Sequence, residues 1–127
     1  MPDGGSFDYT KFLEVARTLH GLKTEAGYRS AISRAYYAAF WGARRQAQSK
    51  GYQPSESGDA HKSIWDLFSR RRECREIWVI GDRLFNLRKK ADYDDPVAGL
   101  DKNSESALED AKDLLALLST HKNTCPF

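Results

Sequence analysis

Apolar residues along this chain recur at intervals of three and four, the spacing that gathers them on one face of a helix. In a first stretch, about Asp8 to Leu22, Phe12, Val15, Ala16 and Leu19 share such a face. A second, long stretch runs from about Glu25 to Lys50, and Gly51 behind it is a natural left-handed stop. The segment Gly51 to Gly58 contains Pro54 and reads as a loop, after which Asp59 is placed to cap a short third helix reaching about Ser69, with Ile64, Leu67 and Phe68. The fourth helix spans about Glu73 to Ala91 or slightly beyond, because Pro96 disfavours helical geometry at Asp95. Past a loop from Asp94 to Asn103, Ser104 caps a fifth helix extending to about Ser119, whose Ala107, Ala111, Leu114 and Leu118 form one stripe. Nothing alternates with period two over a useful length, so no strand is expected. The pattern predicts an all-α fold, an up-and-down antiparallel bundle of about five helices. It forms a single domain over residues 1–127 with an ordered core at about 8–120.

Two helices carry more than a core stripe. On the second, Ala35, Ala38, Ala39, Gly42 and Ala43 are small enough to admit a close partner, while Tyr28, Ile32, Tyr36 and Phe40 fill the space beside them. On the fourth, Ile77, Ile80, Leu84, Leu87 and Ala91 make a regular seam. One residue on, and about 100° around the helix, Trp78, Gly81, Phe85, Arg88 and Asp92 repeat the spacing. A monomeric bundle needs one buried stripe per helix. The second implies either a wider core or a partner subunit, and Trp78 and Phe85 are the expected anchors of a homodimer interface.

Composition narrows the class. The chain is 40% hydrophobic and 30% charged, which suits a folded domain and excludes wholesale disorder. No apolar run approaches the roughly 18 residues of a membrane span, and Met1 to Gly5 carry no apolar signal region, which points to the cytoplasm. Cys74 and Cys125 have no metal-ligand spacing and read as two free thiols of a reducing compartment. No histidine pair has ligand spacing, so neither a metal nor another cofactor is expected. His20 and His121 read as ordinary surface or boundary residues, and His61 as mainly structural. Net charge is +2 but uneven: residues 70–90 hold eight Lys/Arg against three Asp/Glu, and residues 91–118 hold two against eight. Such a polarity marks either a nucleic-acid surface or two helix faces that neutralise each other.

Candidate chemistry lies in the same places. Arg88 and Asp92 are four apart and within reach, giving either a surface ion pair or an arginine whose planar fork is held ready for phosphate. Arg34, Tyr37, Trp41 and Arg45 interleave cations with aromatic rings, as single-stranded nucleic-acid binders do, although bundle packing with outward arginines gives the same pattern. Arg70, Arg71, Arg72 and Arg75 make up the basic segment that would steer a nucleic acid on the first of those readings.

Three segments, in order, carry a family resemblance: Ala31-Ile32-Ser33-Arg34-Ala35-Tyr36-Tyr37-Ala38-Ala39-Phe40, His61-Lys62-Ser63-Ile64-Trp65-Asp66-Leu67-Phe68, and Leu87-Arg88-Lys89-Lys90-Ala91-Asp92-Tyr93-Asp94. Together the chain resembles the small stand-alone branch of the HEPN family over roughly residues 8–120. The resemblance implies a helical bundle, commonly a homodimer. It also implies one of two functions: a metal-independent ribonuclease, toxin-like or defence-related, or a non-catalytic binding module whose partner is a protein such as a nucleotidyltransferase. Nuclease members carry an arginine, four to six intervening residues and a histidine, two copies meeting in one RNA-cutting cleft. The arginine matches Arg88, but the window for the histidine runs from Tyr93 to Asp95 and contains none. Arg88, Asp92 and Tyr93 are therefore the expected catalytic set. Tyr93 reaches Arg88 only if the helix unwinds at Asp92 to Asp95, since in an unbroken helix it points about 140° away.

Overall fold

The computed structural model describes residues 7–53, 60–120 and 124–127. Among them are the helices α1 (Lys11–Gly21), α2 (Glu25–Ser49), α3 (Ala60–Ser69), α4 (Arg75–Tyr93) and α5 (Leu100–Thr120), with a 3₁₀ turn at Arg72–Cys74 leading into α4 and no strand. They build the antiparallel bundle that the periodicity predicts. α2 is its spine and packs on every other helix, whereas α3 lies to one side, against α2 and α4.

The small residues of α2 explain that central place. Ala31, Ala35, Ala38, Ala39, Ala43 and Ala47 are wholly buried, and a Cβ on Gly42 would run into Leu115 of α5. Ile32, Tyr36 and Phe40 fill the flanking volume, with Leu84 of α4 and Leu114 of α5 across from them in the same core. Full burial of each such side chain contributes roughly 1.5–3 kcal/mol. The ends of α2 are set locally. The Thr24 hydroxyl accepts the Gly27 N–H at 3.0 Å, and Gly51 takes φ +96, the left-handed stop expected of it. The end of α4 is held from outside the helix: Arg29 donates to the carbonyl oxygens of Ala91 at 2.8 Å, Asp94 at 2.7 Å and Asp95.

Three expectations need correction. Cys74 and Cys125 are joined in a disulfide, both buried, so they are not free thiols and the tail around Cys125 is tied to the start of α4. The link spans 51 residues, and closing a loop of that size restricts the unfolded chain by about 4 kcal/mol. Ser104 caps nothing. α5 begins a turn earlier, and Ser104 is a buried residue of its interior whose hydroxyl meets His20 Nδ1 at 2.8 Å. His20 itself is half-buried, at the boundary as expected. Val15 is 45% exposed, so the buried face of α1 rests on Leu13 and Ala16 instead. Asp59, most of the Gly51–Gly58 loop and His121 lie outside the described residues.

Candidate functional site

The second stripe of α4 faces inward. Gly81 lies under Trp65 of α3, whose indole occupies the space a Cβ would need. One turn on, Phe85 is half-buried against Tyr36, with ring centroids 5.8 Å apart, and near His61 at 6.1 Å. The stripe thus widens the core toward α2 and α3, and Trp78 and Phe85 keep part of their surface.

Arg88 follows on this stripe and is 7% exposed. Its guanidinium carbon lies 5.2 Å from the Tyr36 ring centroid, 5.6 Å from Tyr37 and 5.7 Å from Phe85. Three aromatic faces thus stabilise a cation largely withdrawn from water, each contact worth roughly 0.5–2 kcal/mol. Hydrogen bonding is far less complete. Nη1 reaches Asp92 Oδ2 at 3.4 Å, a long contact, and the buried Nε has no partner among the described residues. Arginine cannot shed its charge to relieve this. A buried, charged and under-bonded fork is a strong attractor for an oxyanion. Among the described residues Arg44 Nε is also unpartnered, but there Arg44 lies over Trp41 alone and lacks a comparable cage.

A polar chain built from α2 and α3 adjoins the cage. Trp65 Nε1 donates to the Tyr36 hydroxyl oxygen at 3.1 Å, and that hydroxyl meets His61 Nδ1 at 2.7 Å. His61 stacks on Phe40 at 4.2 Å and stands 5.5 Å from Tyr36 and 5.6 Å from Tyr37, centroid to centroid. His61 and Arg88 therefore share Tyr36, Tyr37 and Phe85 as neighbours. No periodicity signals this meeting, because α3 and α4 come together through tertiary packing, with Trp65 over Gly81. The Phe85–Arg88 contact, by contrast, follows from their spacing of three.

The expected site residues are only partly united. Arg34 lies over the Tyr37 ring at 4.9 Å and over Phe12 at 5.3 Å, so Arg34, Tyr37 and Arg88 stand in one row. Arg45 covers Phe7 and Tyr9, which makes that end of the α2 stripe a packing surface. Asp92 keeps its place beside Arg88, its side chain 29% exposed. Tyr93 does not join them: α4 runs unbroken through it, and it is 76% exposed. Arg70 is exposed nearby, while Arg71, Arg72 and Arg75 line one recess with Trp78. Trp78 also borders a groove between α3 and α4 lined by Lys62, Trp65, Phe85 and Lys89, with Asp66 and Asp82 on its walls. A path of cations and aromatic faces thus leads along α4 toward Arg88.

Two other features bear on charge. Arg83 donates to both carboxylate oxygens of Asp110 at 2.8 Å, binding the basic fourth helix to the acidic fifth and raising the arginine's pKa. That pair neutralises part of the polarity and leaves the arginines before α4 outside it. A recess between the start of α2 and the α4–α5 loop is lined by Glu25 and Asp101 with no cation among its lining residues, so it is unsuited to an anion. No cluster of three or more metal-ligating side chains occurs among the described residues, and no described helix is long and apolar enough to cross a membrane.

These features define an all-helical bundle with an arginine-centred site between its second, third and fourth helices. The HEPN domain model matches residues 10–121, nearly the whole chain, and the protein belongs to the HEPN family. No curated protein and no solved structure matches it.

Proposed function

We propose that the chain acts on RNA through Arg88, as a metal-independent ribonuclease of the toxin-like or defence-related kind. The observation that carries this reading is the Arg88 guanidinium itself: buried, caged by three aromatic rings, and left with an unpartnered Nε. A phosphodiester offers acceptor oxygens to this fork. The arginines near Trp78 supply long-range attraction, and Tyr37 supplies a face on which an unpaired base stacks. In the proposed assembly two copies meet around Trp78 and Phe85, bringing two Arg88 sites to one cleft.

One observation favours a second reading. Tyr93, at the position where the nuclease pattern has histidine, points into solvent away from Arg88. That suits a non-catalytic module which dimerises and engages a protein such as a nucleotidyltransferase. Binding of a single-stranded oligoribonucleotide separates the two. On the first reading affinity falls steeply as salt rises, and replacing Arg71, Arg72 and Arg75 by alanine lowers the salt slope by about 2, given about 0.7 per phosphate contact. Absence of binding at low ionic strength, or binding insensitive to salt, leaves the protein-binding module.

A further inference from the structure

We propose that Arg34 of α2 holds the phosphate next to the one at Arg88, so that the site takes a single strand of RNA through two consecutive phosphates. The inference rests on the Arg88 reading above and deepens it, from one phosphate contact to a track with a minimum length of substrate.

Arg34 and Arg88 come from different helices and meet around one ring. Their guanidinium carbons lie 4.9 Å and 5.6 Å from the Tyr37 centroid. Two cations brought together in this way repel each other unless anions stand beside them. Among the described residues, Asp92 is the one carboxylate in contact with either, 3.4 Å from Arg88, and Arg34 has neither an ion pair nor a hydrogen bond. The structural arginines of the bundle behave differently. Arg29 commits its fork to the carbonyls at the end of α4, and Arg83 to the Asp110 carboxylate.

The fork of Arg34 is also held ready. Stacking on aromatic rings occupies the faces of a guanidinium and leaves the five N–H groups at its edge to donate. Arg34 is packed so, against Tyr37 and against Phe12 of α1 at 5.3 Å. Its neighbours Ser33 and Ala35 are buried in the central helix, which fixes the direction from which the side chain leaves. A group placed before its ligand arrives loses less freedom on binding. Arg34 is half-buried rather than enclosed, so an anion can reach it.

Because both forks lie against the same ring, their separation falls within the span of two neighbouring phosphates of an extended strand, with a hydrogen bond at each end. The substrate class follows: an RNA strand that continues past the phosphate at Arg88, not a dinucleotide or a free nucleotide. Arg34 is then a specificity-determining residue and takes no part in the bond changes.

The test is a binding measurement on short oligoribonucleotides, 2′-O-methylated so that they cannot be cut. Their linkages are neutralised as methylphosphonates except at one position, at two consecutive positions, or at two positions set far apart. Wild-type protein is expected to bind the consecutive pair about 10- to 100-fold more tightly than the single charge, as a charged hydrogen-bonded contact gives, and to gain at most about threefold from the separated pair. Arg34→Ala is expected to remove the gain from the consecutive pair while binding the singly charged strand as wild type does. Arg45→Ala, on the same stripe but packed on Phe7 and Tyr9, is expected to keep it. Arg34→Lys, which preserves the charge without the planar fork, is expected to keep only part of it. Equal weakening of the singly and doubly charged strands by Arg34→Ala overturns the proposal, because Arg34 then shares the phosphate of Arg88 or merely shapes the site. So does an equal gain from the consecutive and the separated pair in wild-type protein, a comparison that needs no variant. Binding of the singly charged strand unchanged by Arg88→Ala overturns the Arg88 reading itself, and this inference with it.

Discussion

At the scale of single residues, the site shows where a linear pattern stops being informative. Arg88 and Asp92 are legible because four residues of helix put them side by side, and the structure has them in contact at 3.4 Å. Tyr93 was a candidate only through a local unwinding that does not occur, since Arg29 grips the carbonyls at the end of α4 and keeps the helix regular through it. His61 is 27 positions from Arg88 along the chain, and no spacing rule connects them. Tyr93 is thus predicted to be dispensable for cleavage. Tyr93→Phe leaves both melting temperature and RNA cleavage at wild-type levels, because its hydroxyl contacts nothing in the site. A tenfold or greater loss of cleavage on that substitution, about 1.4 kcal/mol in transition-state energy, would return Tyr93 to the catalytic set.

At the scale of helices, periodicity located the elements well and their caps less well. Ser104 has the residue type and the position of a cap, yet the four residues before it are helical and it is drawn inside to meet His20. Cap residues are also good buried hydrogen-bond partners, and sequence alone does not separate the two uses. Neither does spacing reveal that Cys74 and Cys125 meet, because the approach depends on how the tail returns across α3, where Phe127 packs on Phe68. The doubled stripe of α4 was the sharper signal. Gly81 on that stripe is the point where α3 settles on α4, with the Trp65 indole over its Cα. Alanine there gains up to about 1 kcal/mol in helix propensity but must displace a ring that also bonds Tyr36. Overpacking of that kind typically costs about 1–3 kcal/mol, so Gly81→Ala is predicted to be net destabilising in urea unfolding. It should also loosen the Trp65–Tyr36–His61 chain. An unchanged or higher unfolding midpoint would show that Trp65 can move freely and that the chain it starts is not rigid.

At the scale of the whole molecule, the fold carries its asymmetry on one edge. The α2–α5 side is closed by small residues and aliphatic packing, while the α3–α4 side holds Trp78, Phe85 and the arginines before α4. Self-association is predicted at that edge. Sedimentation at micromolar concentration should give about twice the 14.4 kDa chain mass, and Trp78→Glu should return it to the monomer, since a carboxylate would be buried without a partner. A wild-type monomer, or a dimer indifferent to Trp78→Glu, moves the interface elsewhere. The central claim concerns Arg88, and cleavage of single-stranded RNA in excess chelator tests it most directly. Removing one preorganised donor to a transition-state anion costs on the order of 10²–10³ in rate. The account predicts that the wild-type protein cuts, leaving 2′,3′-cyclic phosphate ends, that Arg88→Ala loses at least that factor while keeping its helical circular dichroism, and that Arg88→Lys recovers little because lysine lacks the fork. Cleavage by Arg88→Ala at the wild-type rate, or cleavage that vanishes when chelator is added, would contradict it.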